Sequence, residues 1–370
     1  MRISIVDHVG SKAGMDLYSG GLAKGLSSNG ANVQLFSNFN AIPNASANVK
    51  CFNIFPITKR NRIIMLANHL HGYLKILKSL LYKRNDAVIT HIFSMNIMTF
   101  LNIAVLKLSL TSIIVIIHDV NSFKKNDIRF VGWIIVNIFA NFLVVHNKHS
   151  KDQLLKKINI RKKNKIFVFK HGGNDLINQA SNDFLSDNRL KKNKKYLLFF
   201  GQLKAVKGLG VLLDSLSKIP NDINLIIAGR DCDGELKKYK KLLESNQLKD
   251  RVHIFDRFIT DDERDALFTQ CDLIVLPYTE IFESGVLISV MSQGCPVLVS
   301  DIPVFKKMIT HNYNGLVFES GNSDDLSCKI KEYFYMPKIR KTITKNARHF
   351  ILENYNWNFI GKDYLSAIYK

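Results

Sequence analysis

The chain reads as α/β, built from two Rossmann-like, doubly wound domains. Three observations predict this. Short apolar strands alternate with helix-patterned stretches along nearly all 370 residues. The strands are apolar throughout rather than alternating, as parallel sheets covered on both faces require. A polar stretch from Gly172 to Lys195 separates two such alternating sets. Alternation of this kind implies βαβ units around parallel sheets, and the length suits two separate cores with a cleft between them.

In the first set the expected strands are Ile3–Val6, Val33–Phe36, Ala87–Ile89, Ile113–Ile117, Phe142–Val145 and Ile166–Phe169. Helical patterns fill the gaps, notably Met15–Ser28 and Arg62–Lys83. In the second set the strands are Tyr196–Phe200, Asn224–Ala228, Val252–Phe255, Leu273–Leu276, Pro296–Val299 and Leu316–Phe318. Beyond Pro337 the pattern is helical, and Trp357, Tyr364 and Tyr369 offer an aromatic face for burial. The expected boundaries are a first domain over 1–172, a linker over 173–195, a second domain over 196–352 and a final helical segment over 353–370.

Composition narrows the class. The five cysteines are scattered without a Cys-x-x-Cys pair, which argues against a zinc site or a disulfide framework. The segment Met1–Asp7 runs straight into a strand and lacks the regions of a signal peptide. The expected location is cytoplasmic, including the inner face of the plasma membrane. Two apolar stretches, Met95–Ile117 and Phe130–Val145, are interrupted by Asn and Lys, or are short for a span. Each reads as a helix followed by a buried strand.

The net charge is +21, and residues 1–190 hold 25 Lys and Arg against nine Asp and no Glu. No helix-turn-helix, RNA-recognition or zinc-finger pattern accompanies that charge, so nucleic acid is not the expected partner. An anionic membrane surface is. Within Arg62–Lys83, Ile63, Leu66, Ala67, Leu70, Leu74, Leu77 and Leu81 recur at helical spacing among Lys59, Arg60, Arg62, Lys75, Lys78, Lys83 and Arg84. Two readings stay open: a core helix with a solvated basic face, or a helix lying on anionic lipid.

Several constellations sit where strands end, and in parallel sheets ligands bind outside the carboxyl ends of strands. Gly10-Ser-Lys-Ala-Gly14 follows the first strand and opens a helix, without the spacing of a dinucleotide or Walker loop. Lys207-Gly208 follows the strand ending at Gly201-Gln202, and a lysine there can reach a diphosphate as a point charge. Arg230 follows the next strand. Two such cations make a phosphate subsite without a metal. Glu283-Ser284-Gly285-Val286 precedes an apolar helical run; the start of that helix would aim free amides at an anion. His118-Asp119 closes the strand Ile113–Ile117, and His171-Gly172 closes the next but one. Together these features point to a nucleotide-linked substrate.

Taken together, these residues resemble the GT-B glycosyltransferases, specifically the retaining family 4. The signature comprises Phe200-Gly-Gln202 with Lys207-Gly208, Ile227-Ala-Gly-Arg230, Val252–Phe255, Cys271–Tyr278, Glu283-Ser-Gly285, Gly294-Cys-Pro-Val297 and Asn314-Gly315. The resemblance implies two domains facing across a cleft, with the last helix crossing back to the first domain. It implies metal-independent hexosyl transfer, with retention, from a nucleotide diphosphate sugar to a hydroxyl of a glycan or lipid-linked acceptor, with no further cofactor. Cell-surface polysaccharide or lipopolysaccharide synthesis is the implied setting.

By similarity His118, Lys207 and Glu283 would be catalytic. The donor would meet Gly14, Gly201, Gln202, Lys207, Arg230, Glu283, Ser284, Gly285, Val286 and Ser289. Two positions depart from the family pattern. Gln202 stands where an arginine is common, and Ser289 stands where the second of two glutamates is expected, with Glu283 displaced from the first. The alternatives are a nucleotide-sugar epimerase and a catalytically degenerate partner or glycan-binding subunit.

Overall fold

A computed structural model of the chain describes residues 1–55, 62–118, 120, 127–161, 165–173, 183–191, 193–245, 248–281 and 284–369. It divides into two units. Unit 1 comprises Met1–Gly172 and Tyr355–Lys370, and unit 2 comprises Gly173–Asn354.

Unit 1 is built on seven parallel strands: β1 (Arg2–Val6), β2 (Asn32–Ser37), β3 (Val49–Asn53), β4 (Ala87–Ile92), β5 (Ser112–Ile117), β6 (Phe142–Val145) and β7 (Ile166–Val168). Their order is β3-β2-β1-β4-β5-β6-β7. The order reverses at β1, between β2 and β4, which is the switch point of a doubly wound sheet. One face of the sheet is covered by a core that includes Tyr73, Ile76, Leu80 and Ile103. The other is covered by helix α1 (Met15–Ser28) and by Trp357, Ile360 and Tyr364 from the far end of the sequence.

Helix α2 (Arg62–Tyr82) forms over the expected residues, but the face it buries is not the leucine stripe. Tyr73, Ile76 and Leu80 are buried, whereas Leu66, Leu70, Leu74 and Leu81 are exposed, Leu74 by 57% and Leu81 by 62%. Both faces of this helix are apolar, and periodicity alone does not say which one meets the sheet. Lys59 and Arg60 lie outside the described residues.

Unit 2 holds six parallel strands: β8 (Lys195–Phe200), β9 (Ile223–Ala228), β10 (Val252–Phe255), β11 (Leu273–Leu276), β12 (Val297–Ser300) and β13 (Leu316–Phe318). Their order is β10-β9-β8-β11-β12-β13, so the switch point lies at β8, between β9 and β11. Helix α3 (Leu209–Leu216) buries Leu209, Leu212, Leu213 and Leu216 against this sheet. Part of the stretch read as a linker is built into the unit. Phe184 and Leu185 are buried in a short helix, Phe184 packs edge-on against Phe255, and Leu185 N–H donates to Gln270 Oε1 at 3.0 Å.

Helix α5 (Trp357–Ile368) packs along α1 within unit 1. Glycines make the approach close. A Cβ on Gly25 would stand 2.0 Å from the Trp357 carbonyl oxygen, and one on Gly361 would stand 2.3 Å from Gly25. The Trp357 ring fills the space above Gly21 and Gly172. Trp357→Ala should therefore cost unit 1 about 3–5 kcal/mol, the usual loss for a buried large aromatic. Urea unfolding followed by the fluorescence of the remaining Trp133 measures this, and an unchanged midpoint would show that α5 is not structurally coupled.

Candidate functional site

In unit 2 the carboxyl ends of β8 and β11 bring together the residues best suited to an anion. After β8 the chain turns at Gly201 (φ +104°), runs through a short turn at Ala205–Lys207 and enters α3 through Gly208 (φ +67°). A Cβ at Gly208 would stand 1.9 Å from the Pro277 carbonyl oxygen, so only glycine fits beneath the end of β11. Thr279 N–H donates to the Val206 carbonyl at 2.8 Å and ties the two strand ends together. Lys207 is thereby aimed inward. Its Nζ lies 5.3 Å from the centre of the Tyr278 ring. A Cβ on Gly201 would be 2.8 Å from that Nζ and 3.6 Å from Val286 Cγ2.

The residue as a whole is only partly buried, yet its ammonium is enclosed. Burial first, and then the Lys204 charge, lower its pKa to about 7. The Tyr278 hydroxyl is buried near Ser284 without making a hydrogen bond of proper geometry, and burial drives its pKa far up.

Helix α4 (Gly285–Ser292) starts beside this lysine. Ser284 is buried and caps it, its Oγ accepting from Leu287 N–H at 3.1 Å. The amides of Gly285 and Val286 precede the first internal helical bond and carry the positive end of the helix dipole. One cation, two amides and a glycine-lined approach meet at a topological switch point, an arrangement chemically able to accept a phosphate.

The remaining expected residues are placed less centrally. Gln202 and Arg230 are exposed, Arg230 one residue past Gly229, and Ser289 is half-buried one turn into α4. Glu283 lies outside the described residues. Gly14 belongs to unit 1, where it caps α1 in the left-handed region (φ +70°) with open space on its Cβ side. A cavity of about 630 Å³ between Gly294 and Leu352 lies at the other end of α4, away from Lys207.

Unit 1 brings its own group together at the carboxyl ends of β4 to β7. His91 Nδ1 is 3.0 Å from His118 Nε2, His118 Nδ1 is 3.4 Å from His146 Nε2, and His146 Nδ1 is 3.0 Å from the Phe169 carbonyl. At the other end Ser19 Oγ donates to Asp7 Oδ2 at 2.7 Å and lies 3.4 Å from His91 Nε2. Tyr18 of α1 stands among the rings of His91, His118, His146, His171 and Trp357, with centroids 4.8–5.3 Å away. Phe93 stacks on the face of His118 at 4.8 Å.

Burial, opposed by Asp7 and aided by His146, lowers His91 to about 4. Burial, opposed by the Phe169 carbonyl, does the same for His146. His118 is held well below the ordinary range by burial and then by His146, His91 and His171. Asp119 lies outside the described residues.

Sequence reasoning singled out His118 and His171 but missed His91, His146, Tyr18 and the Tyr278 floor beneath Lys207. A signal was present. Four successive strands of unit 1 close on a histidine at or just past their carboxyl ends: His91, His118, His146 and His171.

Residues 181–350 match the family model described as glycosyl transferases group 1. Among curated relatives, the glycosyltransferase MJ1607 of Methanocaldococcus jannaschii is 27% identical over 184 residues, 49% of this chain and 46% of that protein. The N,N'-diacetylbacillosaminyl-diphospho-undecaprenol alpha-1,3-N-acetylgalactosaminyltransferase of Campylobacter jejuni is 26% identical over 66% of this chain and 65% of its own. The chain thus spans about half the length of the first of these relatives. Among solved structures, HepE of Anabaena in complex with UDP-glucose superposes with a TM-score of 0.71 at 17% identity, covering 100% of this chain and 99% of that one. That likeness establishes the GT-B fold.

Proposed function

We propose, from the premise that residues 181–350 form a glycosyl transferases group 1 domain, that the chain moves a hexosyl group from a nucleotide diphosphate sugar to an acceptor hydroxyl with retained configuration. The observation that carries this reading is the convergence of the enclosed Lys207 ammonium and the start of α4 at the β8/β11 switch point. The acceptor oxygen bonds to the anomeric carbon as the bond from that carbon to the diphosphate breaks. The hydroxyl proton leaves on the departing diphosphate. Lys207 and the amides of Gly285 and Val286 stabilise the charge that develops there, as preorganised electrostatics. No metal ion enters this scheme. His118 serves the acceptor side as an uncharged imidazole.

The donor class is supported by the UDP-glucose complex of HepE, and a lipid-linked acceptor in cell-surface glycan synthesis by the name of the Campylobacter relative. Incubating the protein with UDP, GDP and ADP sugars and following the melting temperature tests donor binding. A nucleotide at a hundredfold excess over its Kd adds about 2.7 kcal/mol to the stability of the unit that binds it. No shift with any of the three would remove the reading.

The same proposal places the protein on the inner face of an anionic membrane. On α2, Leu66, Leu70, Leu74 and Leu81 form an exposed apolar stripe beside His71, Lys75 and Lys78. The neighbouring helix Ile97–Lys107 adds exposed Ile97 and Leu101. Among the described residues no helix is long and apolar enough to cross a membrane. Apolar side chains between lysines suit the boundary of an anionic bilayer. Leu74→Glu with Leu81→Glu should lower binding to phosphatidylglycerol vesicles by about tenfold or more, at about 1.4 kcal/mol per factor of ten. Cosedimentation equal to wild type would refute membrane docking through α2.

A further inference from the structure

Phe169 offers His146 only a carbonyl, which accepts and cannot donate. His146 Nδ1 therefore carries a proton, and in the neutral ring Nε2 is left as the acceptor. Among the described residues the group that faces this acceptor is His118 Nδ1, so His118 in turn carries its proton on Nδ1 and keeps a lone pair on Nε2. That lone pair faces His91 Nδ1, which donates to it. The Phe169 carbonyl, at 3.0 Å, anchors this direction from one end; the opposite direction would need His91 Nε2 to donate across the longer 3.4 Å approach to Ser19 Oγ, whose own proton goes to Asp7. The nitrogens bond in sequence rather than converge, and no group of three His, Cys, Asp or Glu among the described residues is arranged to hold a metal ion.

The rings have little freedom to turn. His91 and His146 are buried, Phe93 covers a face of His118, and Tyr18 meets the rings edge-on or tilted. Among the described residues the charged or titratable groups around His118 include Tyr18 on α1, His91 on β4, His146 after β6, His171 after β7 and, through Ser19, Asp7 after β1.

We propose that His91 and His146 are positioning residues for His118. His146 fixes the Nδ1–H tautomer of His118, and His91 occupies its Nε2 lone pair until an acceptor hydroxyl replaces it. This inference rests on the proposed transfer reaction for its catalytic meaning, but its structural content stands apart from that reaction. A histidine held in one tautomer by a second group is a familiar economy in enzymes, because the wrong tautomer presents a proton where a lone pair is needed.

The test has two arms. In the intact wild-type chain, long-range nitrogen–proton NMR of the imidazole rings at pH 7.5 reads the tautomers directly. Both His118 and His146 should give the Nδ1–H pattern, and an Nε2–H pattern for His118 would overturn the proposal. This arm needs neither substrate nor variant, so it is decided even if no sugar nucleotide proves to be a donor. In the second arm, His146→Leu should lower kcat by about 10–100-fold, the scale of a misplaced group, with the donor KM within about twofold of wild type. His146→Gln, whose amide oxygen can accept from His118 Nδ1–H, should recover most of the loss. If the leucine variant is poorly folded, the glutamine variant decides. Glutamine activity as low as that of a His118→Ala variant, in a protein with wild-type melting, overturns the positioning role.

Discussion

Lys207→Ala is expected to lower turnover of the proposed transfer by about 10²–10³-fold, the scale seen when one preorganised donor to a developing anion is removed. The fold should survive, because Lys207 contributes a buried charge rather than packing. The more discriminating expectation concerns pH. Free Lys207 titrates near 7, depressed chiefly by burial. A diphosphate beside it favours the ammonium, so binding above pH 7 draws in one proton. Nucleotide affinity should therefore be flat below about pH 7 and fall about tenfold per pH unit above it, until the lysine in the complex itself titrates. Isothermal titration of UDP between pH 6 and 9, in buffers of different ionisation heat, measures both slope and proton count. Lys207→Arg carries a permanent charge and should lose the slope. A wild-type affinity independent of pH across that range would take Lys207 away from the phosphates.

Acid should unfold unit 1 before it reaches the carboxylates. His91 and His146 titrate at about 4 in the folded chain and near 6.5 when unfolded. The unfolded chain thus binds more protons throughout that interval, and stability falls as pH falls from 6.5 to 4, being complete above 6.5. Each neutral histidine contributes on the order of 3 kcal/mol at neutral pH. Both tryptophans, Trp133 and Trp357, belong to unit 1, so their fluorescence reports that unit alone. Urea midpoints measured at pH 7, 5.5 and 4.5 should drop steeply. His91→Gln should reduce the steepness by about one proton. Equal midpoints at pH 7 and 4.5 would mean that the ladder is not buried in its neutral form.

The α/β architecture was legible because parallel strands covered on both faces are apolar runs, and twelve of the thirteen strands announce themselves that way. The exception, β3, is an edge strand with Lys50 and Asn53 exposed and only partial cover on Cys51 and Phe52. Nothing in such a segment separates it from a loop. Helix α2 shows a different limit. Its period was readable, but the choice between two apolar faces is made by what the sheet presents, not by the helix. At the site in unit 2 the order of residues around Lys207 could be read, while the place of Tyr278 as its floor depends on β11 lying beside β8, which brings residues 207 and 278 together. The histidine ladder was hidden for the same reason: its members are 27 and 28 residues apart and meet only through strand order.

The close passage of Gly25 against Gly361 carries a lesson about biosynthesis. Part of the cover of one sheet face in unit 1, including Trp357, Ile360 and Tyr364, comes from residues 355–370, which leave the ribosome after all of unit 2. During translation the nascent first unit must wait, with the slot for Trp357 open and apolar, while the second completes its own fold. Chaperone dependence during synthesis should accordingly centre on that slot, and chains interrupted before Trp357 should be prey for proteolysis although the sheet beneath is fully encoded.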